Sequence, residues 1–207
     1  MARRVPPLEQ KILNYLHDHQ GVATLSEIKQ GVGSASIPEA LTKMLKSGLV
    51  ERLRRGVYRH AQVDHGLYPE FVEAIAQAPH AAIGLASALA YHGLSTVNPD
   101  KVYLIQPKTA RVPKIDWPST VIVKTTPTTF EGIIQVPIGQ ATVPMTDPAK
   151  TVVDCWKYRR MLGTELTIEA LKDYLHQSGA SLKALHDYAA HARVLNVMTP
   201  YIESLLP

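Results

Sequence analysis

The chain has 207 residues, with 22 Lys and Arg against 18 Asp and Glu, and a single cysteine. That length leaves room for one large domain or two small ones, and a hydrophobic content of 45% excludes wholesale disorder. One cysteine excludes an internal disulfide and any multi-cysteine zinc site, and no apolar run approaches the ~20 residues that span a bilayer.

The net charge of +4 is spread unevenly. Residues 1–60 carry ten Lys/Arg and five Asp/Glu, a net +5, whereas residues 61–207 carry 12 and 13, a net −1. A basic module beside a near-neutral domain suggests a nucleic-acid-facing N-terminus. The basic start, Met1 to Pro7, leads into a polar-studded helix and not into an apolar signal core, so a cytoplasmic, reduced setting is expected.

Pro6-Pro7 opens a helix whose face is Leu8, Ile12, Tyr15 and Leu16, and Gly21 stops it. Val22-Ala23 is extended. Thr24-Leu25-Ser26-Glu27 has capping-box spacing and opens a second helix to Gln30, followed by a turn at Gly31-Val32-Gly33. Ser36-Ile37-Pro38-Glu39 repeats that spacing and opens a third helix to Lys46, with Ile37, Leu41, Met44 and Leu45 inward. Leu49 to Arg59 reads as two short strands joined at Arg55-Gly56, where glycine supplies the positive φ of a tight hairpin. Three helices and a basic hairpin outline a winged helix-turn-helix. Its third helix offers Ser36, Thr42, Lys43 and Lys46 to a DNA groove, and its wing offers Arg52, Arg54 and Arg55 to phosphates. Arg3 and Arg4 form either a minor-groove arm or a frayed tail.

Residues 61–66 read as a linker and residues 67–207 as a larger α+β domain with a small sheet and C-terminal helices. Tyr68-Pro69 opens a helix to about Gln77, and Ala81 to Gly93 reads as another. Strands are expected at 102–105, 121–123, 133–136 and 141–143, punctuated by prolines. Asp147-Pro148 caps a helix running through Tyr158, and further helices open at Thr167, Ser181 and Thr199-Pro200.

Three segments together resemble AbiEi-type antitoxins: the wing Leu53-Arg54-Arg55-Gly56-Val57-Tyr58, the segment Ser87 to Leu94, and Val143-Pro144-Met145-Thr146-Asp147-Pro148-Ala149-Lys150-Thr151-Val152-Val153-Asp154-Cys155. The resemblance runs over roughly residues 8–175. It implies a two-domain antitoxin of a type IV toxin–antitoxin system, whose N-terminal domain binds inverted repeats of double-stranded DNA in its own promoter. It further implies that the second domain opposes a nucleotidyltransferase-like toxin without a stable complex. A stand-alone winged-helix regulator is the alternative.

An enzyme using Cys155 is the remaining reading, because a thiol needs a histidine base and His92 and Asp154 are at hand. Against it, Cys155 sits among apolar helix positions as a small hydrophobe would. His17 and His19, and His186 and His191, do not share helix faces, so no metal site is expected. With no Walker loop and no glycine-rich dinucleotide motif, no cofactor is expected either. Lys150, Thr151 and Asp154 form a candidate functional surface at the start of the Asp147-Pro148 helix. The plain alternative there is capping and packing.

Overall fold

The computed structural model describes residues 6–19, 21–62 and 67–206. Arg3, Arg4 and residues 63–66 of the expected linker lie outside the described residues. The chain divides into two compact units, Met1–Ala76 with Pro137–Thr142, and Gln77–Val136 with Val143–Pro207. Among the described residues no helix is long and apolar enough to cross a membrane.

The first unit begins with α1 (Pro7–Asp18), β1 (Val22–Thr24), α2 (Leu25–Val32) and α3 (Ile37–Lys46). It continues with β2 (Val50–Arg54), β3 (Val57–His60) and α4 (Pro69–Gln77). Ile12, Leu16, Ile28, Ile37, Leu41 and Met44 are fully buried, so the three helices meet on one core. The box expected on α2 forms: Glu27 N donates to Thr24 Oγ1 at 3.2 Å, and Thr24 N donates to Glu27 Oε2 at 2.7 Å. The box expected on α3 does not. Ser36 has φ −84° and ψ 11°, not extended backbone, and its side chain caps nothing. Pro38 at the second helical position removes one of the donors a cap would satisfy.

Gly31 and Val32 continue α2 and are not in the turn, which falls at Gly33 with φ +68°. Glycine at 31 is a packing requirement: a Cβ there would lie 1.8 Å from Tyr15 Cε2 of α1. The strands form an antiparallel sheet in the order β1-β3-β2, and Gly56 at the hairpin turn has φ +78°. Three helices packed on a three-stranded hairpin sheet give the winged helix-turn-helix outline.

The second unit contains β4 (Ala82–Ile83), α5 (Leu85–His92), β5 (Val102–Pro107) and β6 (Thr120–Thr125). A 3-10 turn (Pro127–Thr129) leads to β7 (Ile133–Ile138) and β8 (Ala141–Thr146), of which Pro137–Thr142 belongs to the first unit. Then come α6 (Pro148–Lys157), α7 (Arg159–Leu162), α8 (Thr164–His176), α9 (Leu182–Ala192) and α10 (Leu195–Leu205). The five-stranded sheet runs β6-β5-β4-β8-β7. It is mixed: β5 and β6 are parallel from Val102↔Thr120 to Pro107↔Thr125, and β4 runs antiparallel to β5 and parallel to β8. The fold is therefore α+β, with a small sheet and C-terminal helices.

Three expected elements differ. Ala81 to Gly93 is not one helix, because Ala82-Ile83 pairs with Ile105-Leu104 and forms the middle of the sheet before α5 begins. α8 starts at Thr164, ahead of Thr167, whose hydroxyl bonds back to Thr164 O inside the helix. Pro200 does not open the last helix but lies within α10. The core of this unit gathers on α6, every residue of which from Ala149 to Trp156 is buried, and which packs against α5, α8 and α9.

Candidate nucleic-acid interface

α3 is amphipathic, and its two faces are cleanly separated. Ile37, Ala40, Leu41 and Met44 are buried. Ser36, Glu39, Thr42, Lys43 and Lys46 are all exposed, and at 100° per residue they fall within one third of the helix circumference. The sequence thus folds into a helix with a continuous polar face of about three turns, the shape a major groove admits. Thr42 is partly committed, since its Oγ1 donates to Pro38 O at 2.9 Å, leaving its lone pairs and methyl outward. Lys43 and Lys46 put two ammonium groups in the last turn, where they also complement the helix dipole.

The wing is built by a bulge. Tyr58 pairs with Arg52 and Val57 with Arg54, so Leu53 is the extra residue. A plain two-residue hairpin would set Glu51 opposite His60; the bulge sets it opposite Arg59. Arg59 then binds Glu51 through Nε at 3.1 Å and also through Nη2, and its Nη1 donates to Glu73 Oε1 of α4 at 3.2 Å. Glu73 is 3% exposed, so this triad ties α4 to the base of the wing and spends the Arg59 charge inside the unit. Arg52 and Arg55 remain exposed, Arg55 on the turn itself. Arg54 ends β2 by its backbone, and its side chain lies outside the described residues.

The residues singled out on the second unit lie inside it. Lys150, Thr151 and Asp154 are 1%, 0% and 2% exposed. Lys150 Nζ donates to Asp154 Oδ1 one helical turn on. Asp147 caps α6 by accepting from Lys150 N at 2.8 Å, and accepts from Tyr188 OH at 2.7 Å. The Thr151 hydroxyl lies 2.7 Å from Thr146 Oγ1 and donates to Asp147 O at 2.7 Å. These bonds fasten the end of β8 to the first turn of α6. Burial pushes the Asp154 carboxyl up, against the pull of Lys150.

The three groups of the thiol reading each have another engagement. Cys155 is fully buried, and that burial, with the Asp154 charge, pushes its thiol well up. His92 Nε2 donates to Thr146 O at 2.7 Å, and Asp154 is held by Lys150. Among the described residues no group of three His, Cys, Asp or Glu is placed to hold a metal ion.

Comparison with known proteins adds two findings. Residues 10–60 match a family model described as a transcriptional regulator, AbiEi antitoxin. The whole chain is similar in fold to the crystal structure of the RV2827C protein from Mycobacterium tuberculosis, at a TM-score of 0.54 and 15% identity over 99% of this chain and 84% of that one. A comparison with curated protein sequences gives no match. The stretch that carries the exposed α3 face and the arginine wing is thus the one similar to transcriptional regulators described as AbiEi antitoxins.

Proposed function

We propose that the protein is a DNA-binding antitoxin of a type IV toxin–antitoxin system that represses its own promoter. The observation that carries the reading is the unbroken polar face of α3 beside an arginine-tipped wing, in a module of the AbiEi regulator type. Lys43 and Lys46, with Ser36 and Thr42, face the major groove of double-stranded DNA. Arg52, Arg54 and Arg55 hold the phosphate backbone beside it. Two such modules on inverted repeats would cover a promoter, the guanidinium and ammonium groups supplying affinity and the α3 face supplying register. The second unit serves the antitoxic role, against a nucleotidyltransferase-like toxin and without a stable complex.

A mobility shift with the DNA upstream of its own gene tests the first half of this reading. A shift at physiological salt is expected, lost on Arg54→Glu with Arg55→Glu for that DNA and for random DNA alike. Normal promoter binding by the double variant would remove the wing from the interface. The second half is tested by co-expression with the product of the adjacent gene. Restored growth with the full chain supports antitoxicity. A neighbour that is not toxic leaves a stand-alone regulator, a reading favoured by the family match ending at residue 60.

A further inference from the structure

The second unit holds a cationic cluster that DNA recognition by the first unit does not use. β5 and β6 run parallel and end side by side at Pro107 and Thr125, where Lys108 N donates to Thr125 O at 2.8 Å. The carboxyl ends of parallel strands are where open sheets place their ligands. Beyond β6 the chain reads Thr125-Thr126-Pro127-Thr128-Thr129 and doubles back in the 3-10 turn. That turn gathers four hydroxyls. Thr126 Oγ1 lies 2.8 Å from Thr129 Oγ1 and 3.1 Å from Thr128 Oγ1, and Thr125 contacts Thr129. Thr125 and Thr129 are buried, which fixes their positions.

Lys157, at the last position of α6, reaches into this turn. Its Nζ is 3.5 Å from both Thr125 Oγ1 and Thr129 Oγ1, at the outer limit of a hydrogen bond. It also lies over the ring of Tyr158, 5.7 Å from its centroid. Among the described residues neither Lys157 nor Lys108 has a carboxylate within salt-bridge distance. Asp154, the nearby acid, is bound by Lys150. The surroundings of Lys157 lower its affinity for a proton: burial is the largest cause, Asp154 opposes it, and Lys150 and Lys108 add to it more weakly. A cleft of about 400 Å³ opens at the same turn, lined by Thr128 and His191. Glu131, the next carboxylate along the chain, is engaged by His191 Nδ1 at 2.9 Å.

We infer that the carboxyl ends of β5 and β6, with Lys108, Lys157 and the threonine turn, form a binding site for a phosphate group. Two ammonium groups without a carboxylate in salt-bridge distance supply charge, and the hydroxyls of Thr126 and Thr128, the outward positions of the turn, supply donors. Compact ammonium groups suit a phosphate as point charges, without the planar fork of arginine. The group comes from a free nucleotide or from a nucleic-acid backbone, and the chemistry of recognition is the same for both.

The test uses the full chain, titrated calorimetrically with ATP, with inorganic phosphate, and with a short random duplex. Lys157→Gln and Lys108→Gln are compared with the wild type, with melting curves to verify folding. Lys108 is exposed, so its variant retains the fold whatever happens at Lys157. The expected result is binding by the wild type that weakens about tenfold or more in each variant, the loss of one charge-assisted contact. Loss confined to ATP and inorganic phosphate identifies a free nucleotide as the source; loss confined to the duplex identifies the backbone. If neither substitution weakens any of the three, Lys157 is only a cation at a helix C-terminus and the site does not exist. Arg54→Glu with Arg55→Glu, which removes the wing contacts, leaves ATP binding unchanged, so failure of the DNA reading is separable from failure of this one.

Discussion

Lys150 and Asp154 are one turn apart on a helix buried along its length. Charges placed there hold only as a pair, because each alone faces the desolvation penalty without its counterion. Lys150→Met is therefore expected to lower unfolding free energy by about 3–5 kcal/mol in urea titration. Lys150→Met with Asp154→Leu should regain most of that loss; a double variant as unstable as the single one would show that the pair is not the cause. His92 offers a pH readout from the same junction. Burial holds its imidazole below the usual 6.5, with the Thr146 carbonyl and Asp147 opposing. The unfolded chain then binds the proton first, so stability is full above pH 6.5 and falls as the pH drops toward the folded value. His92→Gln keeps a donor for Thr146 O and cannot titrate. Denaturant midpoints between pH 7.5 and 5.5 should therefore fall less in this variant than in the wild type. Equal slopes would place the acid sensitivity elsewhere.

At the scale of elements, the contact between α1 and α2 rests on Gly31. Alanine is the better helix former by about 1 kcal/mol, yet its methyl would meet the Tyr15 ring, which stacks on His19 at 3.9 Å. Gly31→Ala should destabilise the wild type by about 1 kcal/mol and stabilise a Tyr15→Ala background by about as much. The same sign in both backgrounds would disprove the steric argument. The sequence shows the glycine but not the ring opposite it, which is why 31–33 read as one turn. Helices announced by local chemistry are legible: Thr24 with Glu27, Asp147 with Pro148, and Ser181, whose Oγ accepts from Ala184 N at 3.2 Å. Elements defined by distant partners are not. Ala82-Ile83 becomes a strand only because β5 and β8 flank it, and two residues carry no period of their own. The exposed face of α3 was readable from spacing alone. The bulge at Leu53 was not, and with it the pairing that consumes Arg59.

Across the whole molecule, the net charge of +4 separates into +5 on residues 1–60 and −1 on the rest. Part of the +5 is not available to a ligand, since Arg59 is shared between Glu51 and Glu73. Among the described residues the exposed cations of the first unit are Lys43, Lys46, Arg52 and Arg55 on α3 and the wing, with Lys11 and Lys29 on α1 and α2, and Glu39 stands in the middle of the α3 face. On the proposed DNA-binding reading, a carboxylate there would repel a phosphate backbone that is not held in register and trade affinity for selectivity. Glu39→Gln should accordingly raise affinity for random duplex more than for the promoter, narrowing the ratio between them. Salt titration locates the same charges. Each neutralised phosphate makes log K fall by about 0.9 per decade of salt, so Arg55→Ala should flatten that slope by about one unit. Lys172→Ala, an exposed cation on α8, should leave the slope unchanged. If both variants flatten it equally, the electrostatic footprint covers the second unit as well, and the partition of charge at residue 60 does not mark where DNA lies.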